Sequence, residues 1–128
     1  LASRFHLLPA QPSGVEVVTA CDVVCVPTLT PDPLPRVVME AMAAGRPVVG
    51  SAAGGIPEMV EDGRTGVLVP PGDRAALTAA LQHLASDAGR RDAMGSEARR
   101  QCRERFSLER HLDRMEALLL AGSAAAKP

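Results

Sequence analysis

The sequence predicts an α/β fold, in which a parallel β-sheet is covered by helices on both faces and is followed by a helical C-terminal extension. Short runs rich in β-branched residues alternate with helical segments through residues 1–72, which is the βαβ pattern. Continuous apolar runs of this kind are typical of strands that are buried on both faces. From residue 73 onward, apolar residues recur only at helical spacing.

Each element in the first part is predicted from its composition and from the Pro and Gly residues around it. Residues 22–26 are mostly β-branched and are ended by Pro27, and residues 28–35 contain three prolines, so a strand is followed by a stiff loop. The elements expected here are a strand at 4–8, a connector at 9–14, a helix at 15–20 with Ser13 as N-cap, strands at 22–26, 47–50 and 67–69, and helices at 36–44 and 56–61.

Three helices are expected after residue 72, and the first is capped by Asp73. The second covers about residues 89–105, and the third starts after Ser107 as its N-cap. Their apolar stripes are Leu77, Leu81 and Leu84; Met94, Ala98 and Cys102; and Leu108, Leu112, Met115 and Leu119. The domain is expected to span 1–122, with strand–helix units over 1–72 and helices over 73–122. Fraying of the chain is expected to begin at residue 122, and residues 123–128 are expected to be a disordered tail.

Composition and charge exclude several classes of partner. The chain has two Phe and neither Tyr nor Trp, which leaves almost no side chain on which bases or sugar rings could stack. A net charge of −1 gives no electrostatic basis for binding a nucleic-acid backbone. The apolar runs are too short to span a bilayer, and no signal-peptide pattern opens the chain. We therefore expect no nucleic-acid partner, no transmembrane segment and a cytoplasmic location.

The cysteines and histidines do not predict a metal site. Cys21 and Cys25 have C-x3-C spacing without a second pair of ligands, and with Cys102 they lie in apolar patterns that favour reduced core thiols. The three histidines (His6, His83 and His111) stand far apart in the sequence, and the last two fall at boundary positions of amphipathic helices. No metal is expected.

Residues 27–40 are the best candidate for a binding site. They follow a predicted strand, and ligands of open parallel sheets bind at the carboxyl ends of strands. The segment combines Asp32 in a stiff loop, Arg36 at the start of a helix and Glu40 within that helix. Free N–H groups at a helix start can hold a phosphate, and carboxylates can accept hydrogen bonds from vicinal sugar hydroxyls. Alternatively, Asp32 is a turn residue and Glu40 a capping or solvent-facing charge, which is the simpler interpretation of the spacing alone.

Several motifs in this order resemble the retaining GT-B glycosyltransferases, which use nucleotide-sugar donors. They are residues 32–45, Pro47-Val48-Val49, Gly54-Gly55-Ile56-Pro57-Glu58 and residues 61–73 (EDGRTGVLVPPGD), and the resemblance covers about residues 4–120. It implies a partial Rossmann-like sheet, the back half of the C-terminal, donor-binding domain of that family. The implied reaction transfers a sugar from a nucleotide-diphosphate sugar to a hydroxyl acceptor with retention of configuration. The nucleotide sugar would be a substrate, and no cofactor is implied.

The resemblance also implies roles for individual residues. The paired-acid signature of the family falls on Asp32 and Glu40, the expected catalytic residues, with Asp32 beside the donor sugar and Glu40 on the nucleotide ribose. The backbone between them would lie against the diphosphate. The expected donor-binding residues are Asp32, Leu34, Pro35, Arg36, Val37 and Glu40.

Two residues depart from the usual pattern of this family. Asp32 stands where Glu is usual and is one methylene shorter, and Pro35 stands where Gly is usual and removes a backbone donor.

Arg36 either faces phosphate or is a solvated side chain. Gly54-Gly55 either lets the backbone approach a donor phosphate or supplies positive φ for a tight turn. For Glu58, electrostatics at a helix N-terminus is expected rather than catalysis.

Three functions remain open from the sequence. The chain is a donor-domain segment of a glycosyltransferase, a non-enzymatic nucleotide-sugar-binding or subunit-interaction remnant, or part of another Rossmann-type enzyme such as a nucleotide-sugar epimerase of the same architecture. In the family, an N-terminal domain supplies the acceptor site, and the first part of the donor domain supplies basic residues that clamp the diphosphate. We therefore expect this chain to be a fragment or to need a partner subunit, and to be inactive or nearly so by itself.

Overall fold

The computed structural model describes residues 4–11 and 13–125, and within them it contains six helices and three strands. In chain order these are α1 (Gly14–Ala20), β1 (Val24–Val26), α2 (Arg36–Ala43), β2 (Val48–Ser51), α3 (Ile56–Met59), β3 (Gly66–Val69), α4 (Arg74–Ser86), α5 (Ala88–Arg105) and α6 (Leu108–Ala125).

The three strands form one parallel sheet in the order β1-β2-β3. Val24 lies opposite Val48, and Val48 lies opposite Gly66. Because both pairings are parallel, all three strands end at one edge, which we call the carboxyl edge. The α/β fold predicted from the sequence is confirmed.

Two apolar clusters cover the two faces of the sheet. Successive residues of a strand face opposite ways, so Val48 packs into one cluster and Val49 into the other. The first cluster includes Val38 and Met42 of α2 with Ala98 and Cys102 of α5, and the second includes Leu84 of α4. The stripe of Met94, Ala98 and Cys102 is buried as predicted.

Several predicted elements are corrected at their ends or in their burial. Residues 4–8 form no strand; their side chains are exposed and their backbone pairs with none of the described strands. The helix predicted at 56–61 ends at Met59, because Val60 is extended. Ser13 precedes α1 without a side-chain cap, whereas the carboxylate of Asp73 accepts a hydrogen bond from Ala76 N, as predicted for a cap.

The C-terminal part differs most from the prediction. Helix α6 continues to Ala125, four residues into the predicted tail, because alanine favours helix strongly and a single Gly122 does not stop it; residues 126–128 lie outside the described residues. Its expected apolar seam (Leu108, Leu112, Met115 and Leu119) is exposed. The Cys25 side chain is also exposed rather than in the core.

Candidate functional site

The loop between β1 and α2 carries Asp32, which accepts one hydrogen bond through its side chain and one through its backbone carbonyl. Asp32 Oδ1 accepts from Leu34 N at 3.0 Å, and the Asp32 carbonyl oxygen accepts from Gly55 N at 2.9 Å. The carboxylate therefore fixes the turn in which it lies, as the turn interpretation holds. The side chain is exposed at the same time, so one face of the carboxylate remains open to a ligand.

Gly54 and Gly55 pack directly against this loop. Gly54 has a positive φ of 57°, the conformation that the turn interpretation predicts. A Cβ atom added to Gly54 would overlap the backbone of Asp32, and one added to Gly55 would overlap the carbonyl oxygen of Pro33. This close approach of two loops was not predicted from the sequence. The only signal for it is the Gly-Gly pair itself, which does not say what lies beside it.

Helix α2 begins at the carboxyl edge without a side-chain cap. Its N-cap residue is Pro35, whose side chain makes no capping hydrogen bond, and the first turn contains no acidic residue. The Pro35 carbonyl accepts from Val38 N at 3.0 Å, which leaves the N–H groups of Arg36 and Val37 without a partner among the described residues. Uncapped N–H groups and the helix dipole together favour an anion at this position.

Glu40 lies one turn further along α2, on the side that faces α1. Its Oε1 is 3.6 Å from Arg36 Nη2, and the side chain of Arg36 is 84% exposed. A Cβ atom on Gly14 would lie 3.6 Å from Glu40 Oε2. Because Arg36 is highly exposed and its contact with Glu40 is long, the pair contributes little to stability, and Glu40 can exchange Arg36 for another donor at little cost.

Asp32 and Glu40 are not in contact with each other. The first contacts the loop after β2, and the second lies in a groove that Thr19 and Arg99 also line. The uncapped start of α2, with its free N–H groups, lies between them in the chain. The structure thus places these residues along one segment without bringing the carboxylates together.

A second group of charges lies away from this segment, where α5 meets the turn before β3. Glu97 accepts from Arg64 and Arg100 at 2.7 Å each, and Glu61 accepts from Arg64 and from the buried Gln101. Hydrogen bonds from Arg100 and then Gln101 lower the pKa of Glu97 to about 2. Hydrogen bonds from Gln101 and then Arg64 lower the pKa of Glu61. These charges attach the turn to α5.

The remaining candidate residues from the sequence form no further site among the described residues. Within residues 4–11 and 13–125, no three His, Cys, Asp or Glu side chains are arranged to hold a metal ion. His83 Nε2 accepts from Arg90 Nη1 at 2.8 Å on the exposed surface. No described helix is long and apolar enough to cross a membrane.

Comparison with known protein families gives one clear match. The sequence model of the family described as glycosyl transferases group 1 matches residues 1–87. Among curated proteins, the D-inositol 3-phosphate glycosyltransferase of Corynebacterium kroppenstedtii is 41% identical over 93 residues, which are 72% of this chain and 20% of that protein. The protein of the same name from Rhodococcus jostii is 37% identical over 115 residues, 88% of this chain and 25% of its own length. This chain spans about a fifth to a quarter of these relatives.

Solved structures resemble this chain over most of its length. HepE of Anabaena, in complex with UDP-glucose, has a TM-score of 0.79 and 31% identity, covering 83% of this chain and 29% of that one. Sucrose-phosphate synthase from Thermosynechococcus elongatus has a TM-score of 0.80 and 34% identity, covering 86% and 27%.

Proposed function

This chain belongs to the glycosyl transferases of group 1, and on that premise we propose that it forms part of the donor site of a retaining glycosyltransferase. The observation that carries the proposal is the uncapped start of α2 at the carboxyl edge, which lies in the chain between Asp32 and Glu40. An anionic diphosphate, flanked on one side by a sugar and on the other by a ribose, matches that order of groups.

Each residue of the segment has a distinct role in this proposal. The N–H groups of Arg36 and Val37 hold the diphosphate, and the exposed Arg36 guanidinium adds a positive charge beside it. Asp32 accepts hydrogen bonds from hydroxyls of the sugar, and Leu34 and Pro35 supply the backbone wall. Glu40 accepts from the ribose hydroxyls in place of its long contact with Arg36.

The same arrangement accounts for the chemical step. When the bond between the anomeric carbon and the diphosphate oxygen breaks, negative charge grows on the diphosphate. Fixed N–H dipoles and a nearby guanidinium stabilise that charge more strongly than water does, because they need no reorganisation. A diphosphate oxygen takes the proton of the acceptor hydroxyl on the same face of the sugar, so configuration is retained and no side-chain nucleophile is needed. The nucleotide sugar is a substrate, and the site uses no cofactor.

The complete reaction requires further polypeptide. We propose that an N-terminal domain or a partner subunit supplies the acceptor site and additional cations for the diphosphate. One observation supports this: the chain spans about a fifth to a quarter of the length of the curated relatives. In assays with a range of nucleotide sugars and simple hydroxyl acceptors, we expect no transfer by the isolated chain. Detectable transfer would contradict this requirement, and an epimerised nucleotide sugar would favour the epimerase alternative.

The donor site is tested by titrating UDP-glucose into the chain and following backbone amide signals by NMR, which detects weak binding. We expect changes at residues 32–40. Glu40→Ala should weaken binding by about 10- to 100-fold, the effect of losing a hydrogen bond to a charged group. Glu116→Ala removes an exposed carboxylate of α6 and should leave binding unchanged. Equal binding by the Glu40 variant, or no binding by the natural chain, would refute the donor site.

A further inference from the structure

A separate cleft lies at the carboxyl edge of the sheet, and we call it the carboxyl-edge cleft. It has a volume of about 320 Å³ and is lined by the segments that follow β1 and β3, by the end of β2 and by the first turn of α4. This volume lies in the range of small-molecule sites. None of the residues assigned to the donor lines it, so the cleft goes beyond the proposed donor site.

Ser51 supplies an unsatisfied polar group at the base of this cleft. It is the last residue of β2 and is only 2% exposed. Within the part of the chain that the structure describes, its hydroxyl makes no hydrogen bond. Strand alternation places its side chain on the same face as Val49, toward Val69, which also lines the cleft. The hydroxyl opens into the cleft and is free to donate to or accept from a ligand or water there.

The walls of the cleft are aliphatic. Pro27 and Leu29 come from the loop after β1, and Leu77 comes from α4. Leu29 also meets the turn after β3, where its Cδ2 would be 3.8 Å from a Cβ atom on Gly72. Among the described residues no aromatic ring lines the cleft, so a ligand would pack its C–H groups on these walls rather than stack a π-system.

The rim of the cleft favours a neutral ligand over an anion. Asp73 caps α4, with Oδ1 accepting from Ala76 N at 2.9 Å, so its negative charge already compensates the helix N-terminus. A phosphate would be repelled by this carboxylate. Arg74 beside it is exposed and makes no ion pair among the described residues, so the rim offers both an acceptor and a donor to hydroxyl groups.

We propose that the carboxyl-edge cleft binds one neutral polyol ring of monosaccharide size. The C–H face of the ring packs on Leu29 and Leu77, Ser51 exchanges a hydrogen bond with one hydroxyl, and Asp73 and Arg74 pair with hydroxyls at the rim. A ring of this kind occurs both as the sugar of a nucleotide-sugar donor and as part of a carbohydrate acceptor. The residues that line the cleft define the chemistry that the two rings share, and the experiment separates the two sources.

The experiment titrates methyl α-D-glucopyranoside into the labelled chain to high millimolar concentration and follows amide signals. We expect saturable changes at residues 51 and 69–77. Ser51→Ala should weaken binding by about 2- to 10-fold, the effect of one neutral hydrogen bond. Ser86→Ala is the matched control, because the Ser86 hydroxyl bonds the His83 carbonyl in its own helix, outside the cleft. Cyclohexylmethanol, a ring of similar size with one hydroxyl, should bind more weakly.

The outcomes separate this proposal from that of the donor site. Because Ser51→Ala breaks no bond to another described residue, its melting temperature should not fall, so a loss of binding reports the lost contact and not unfolding. Changes at 51 and 69–77 that persist with saturating UDP-glucose identify an acceptor ring. Loss of free-sugar binding under UDP-glucose shows that the donor sugar occupies the cleft in place of the position beside Asp32. Changes confined to residues 32–40, no saturable change, or equal binding of the sugar by Ser51→Ala would overturn the proposal. None of these results removes the binding of UDP-glucose at Glu40.

Discussion

Gly55 positions the Asp32 loop because it has no side chain. Its N–H donates to the Asp32 carbonyl oxygen at 2.9 Å, and the space where a Cβ atom would lie is occupied by the carbonyl of Pro33. Gly55 itself has an ordinary negative φ of −82°, so the backbone conformation does not require glycine. The requirement is steric, and it comes from a loop more than twenty residues away in the chain.

We predict that Gly55→Ala displaces this loop. The added methyl group must push the backbone at Pro33 away, which should lower the free energy of unfolding by about 1–3 kcal/mol and weaken the binding of UDP-glucose. Urea unfolding and the NMR titration measure the two effects. Gly63→Ala is the control, since its φ is +75° and nothing lies within 4 Å of its added Cβ; it should cost about 1 kcal/mol from strain alone and leave binding intact. Normal donor binding by Gly55→Ala would show that the contact does not position the loop.

Asp32, Arg36 and Glu40 illustrate what the sequence could predict at the scale of residues. Their order was evident from the chain, and so was the helix start between the two carboxylates. The bond from Leu34 N to Asp32 Oδ1 is local and agrees with the turn interpretation. Spacing could not tell that Glu40 faces α1, because that depends on how α2 packs against other elements. The assignment of these residues to the donor remains a prediction.

At the scale of elements, α5 is attached to the turn before β3 by charges. Arg64 reaches Glu97 at 2.7 Å across 33 residues of chain, and Gln101 reaches Glu61 at 2.7 Å. The Arg and Glu residues of α5 follow the sequence pattern of a solvated helix face, but tertiary packing gives them partners on the turn. These contacts hold the turn that leads into β3 against α5.

We predict a pH dependence from this network. The pKa of Glu97 is about 2 in the folded chain against an ordinary value of 4.5. A lowered carboxyl pKa stabilises the fold above the unfolded-state value, and the contribution is lost as the pH falls from about 4.5 toward 2. In urea titrations, Glu97→Gln should therefore lose less stability than the natural chain over this window. The difference should shrink in high salt, because the group is near solvent.

Glu116→Gln provides the comparison for the network, because no ion pair joins Glu116 to another described residue. We expect its stability to follow that of the natural chain at each pH. If Glu97→Gln and the natural chain have the same pH profile, the charges of α5 do not contribute to stability.

At the scale of the whole molecule, stability comes from the two clusters on the sheet and not from the C-terminal helix. Leu84 is 0% exposed in the cluster beneath α4, whereas Leu119 is 69% exposed on α6. From Leu108 to Ala121 every side chain is exposed. A helix that buries no face gains little from tertiary packing, so α6 is held mainly by its own hydrogen bonds and alanine content.

We predict that a leucine-to-alanine substitution lowers the stability strongly in α4 and very little in α6. Leu84→Ala should lower the free energy of unfolding by about 2–5 kcal/mol, because it leaves a cavity in a closed cluster. Leu119→Ala should change it by less than about 0.5 kcal/mol, because an exposed leucine already contacts water. Urea unfolding of the two variants measures both values. A large loss for Leu119→Ala would mean that α6 packs against the rest of the chain.

The sequence by itself determined the order of strands and helices, the parallel sheet, the buried stripe of α5 and the family of the chain. These depend on local composition, on Pro and Gly positions and on motifs read along the chain. Tertiary structure alone decided that residues 4–8 pair with no described strand and that the seam of α6 is exposed. It also decided that Gly55 packs against the Asp32 loop and that Ser51 lies at the base of a cleft. The physical reason is that periodicity specifies which face of an element is apolar, but not which neighbour covers it. A pairing, a close approach or a cleft exists only where segments distant in the chain meet.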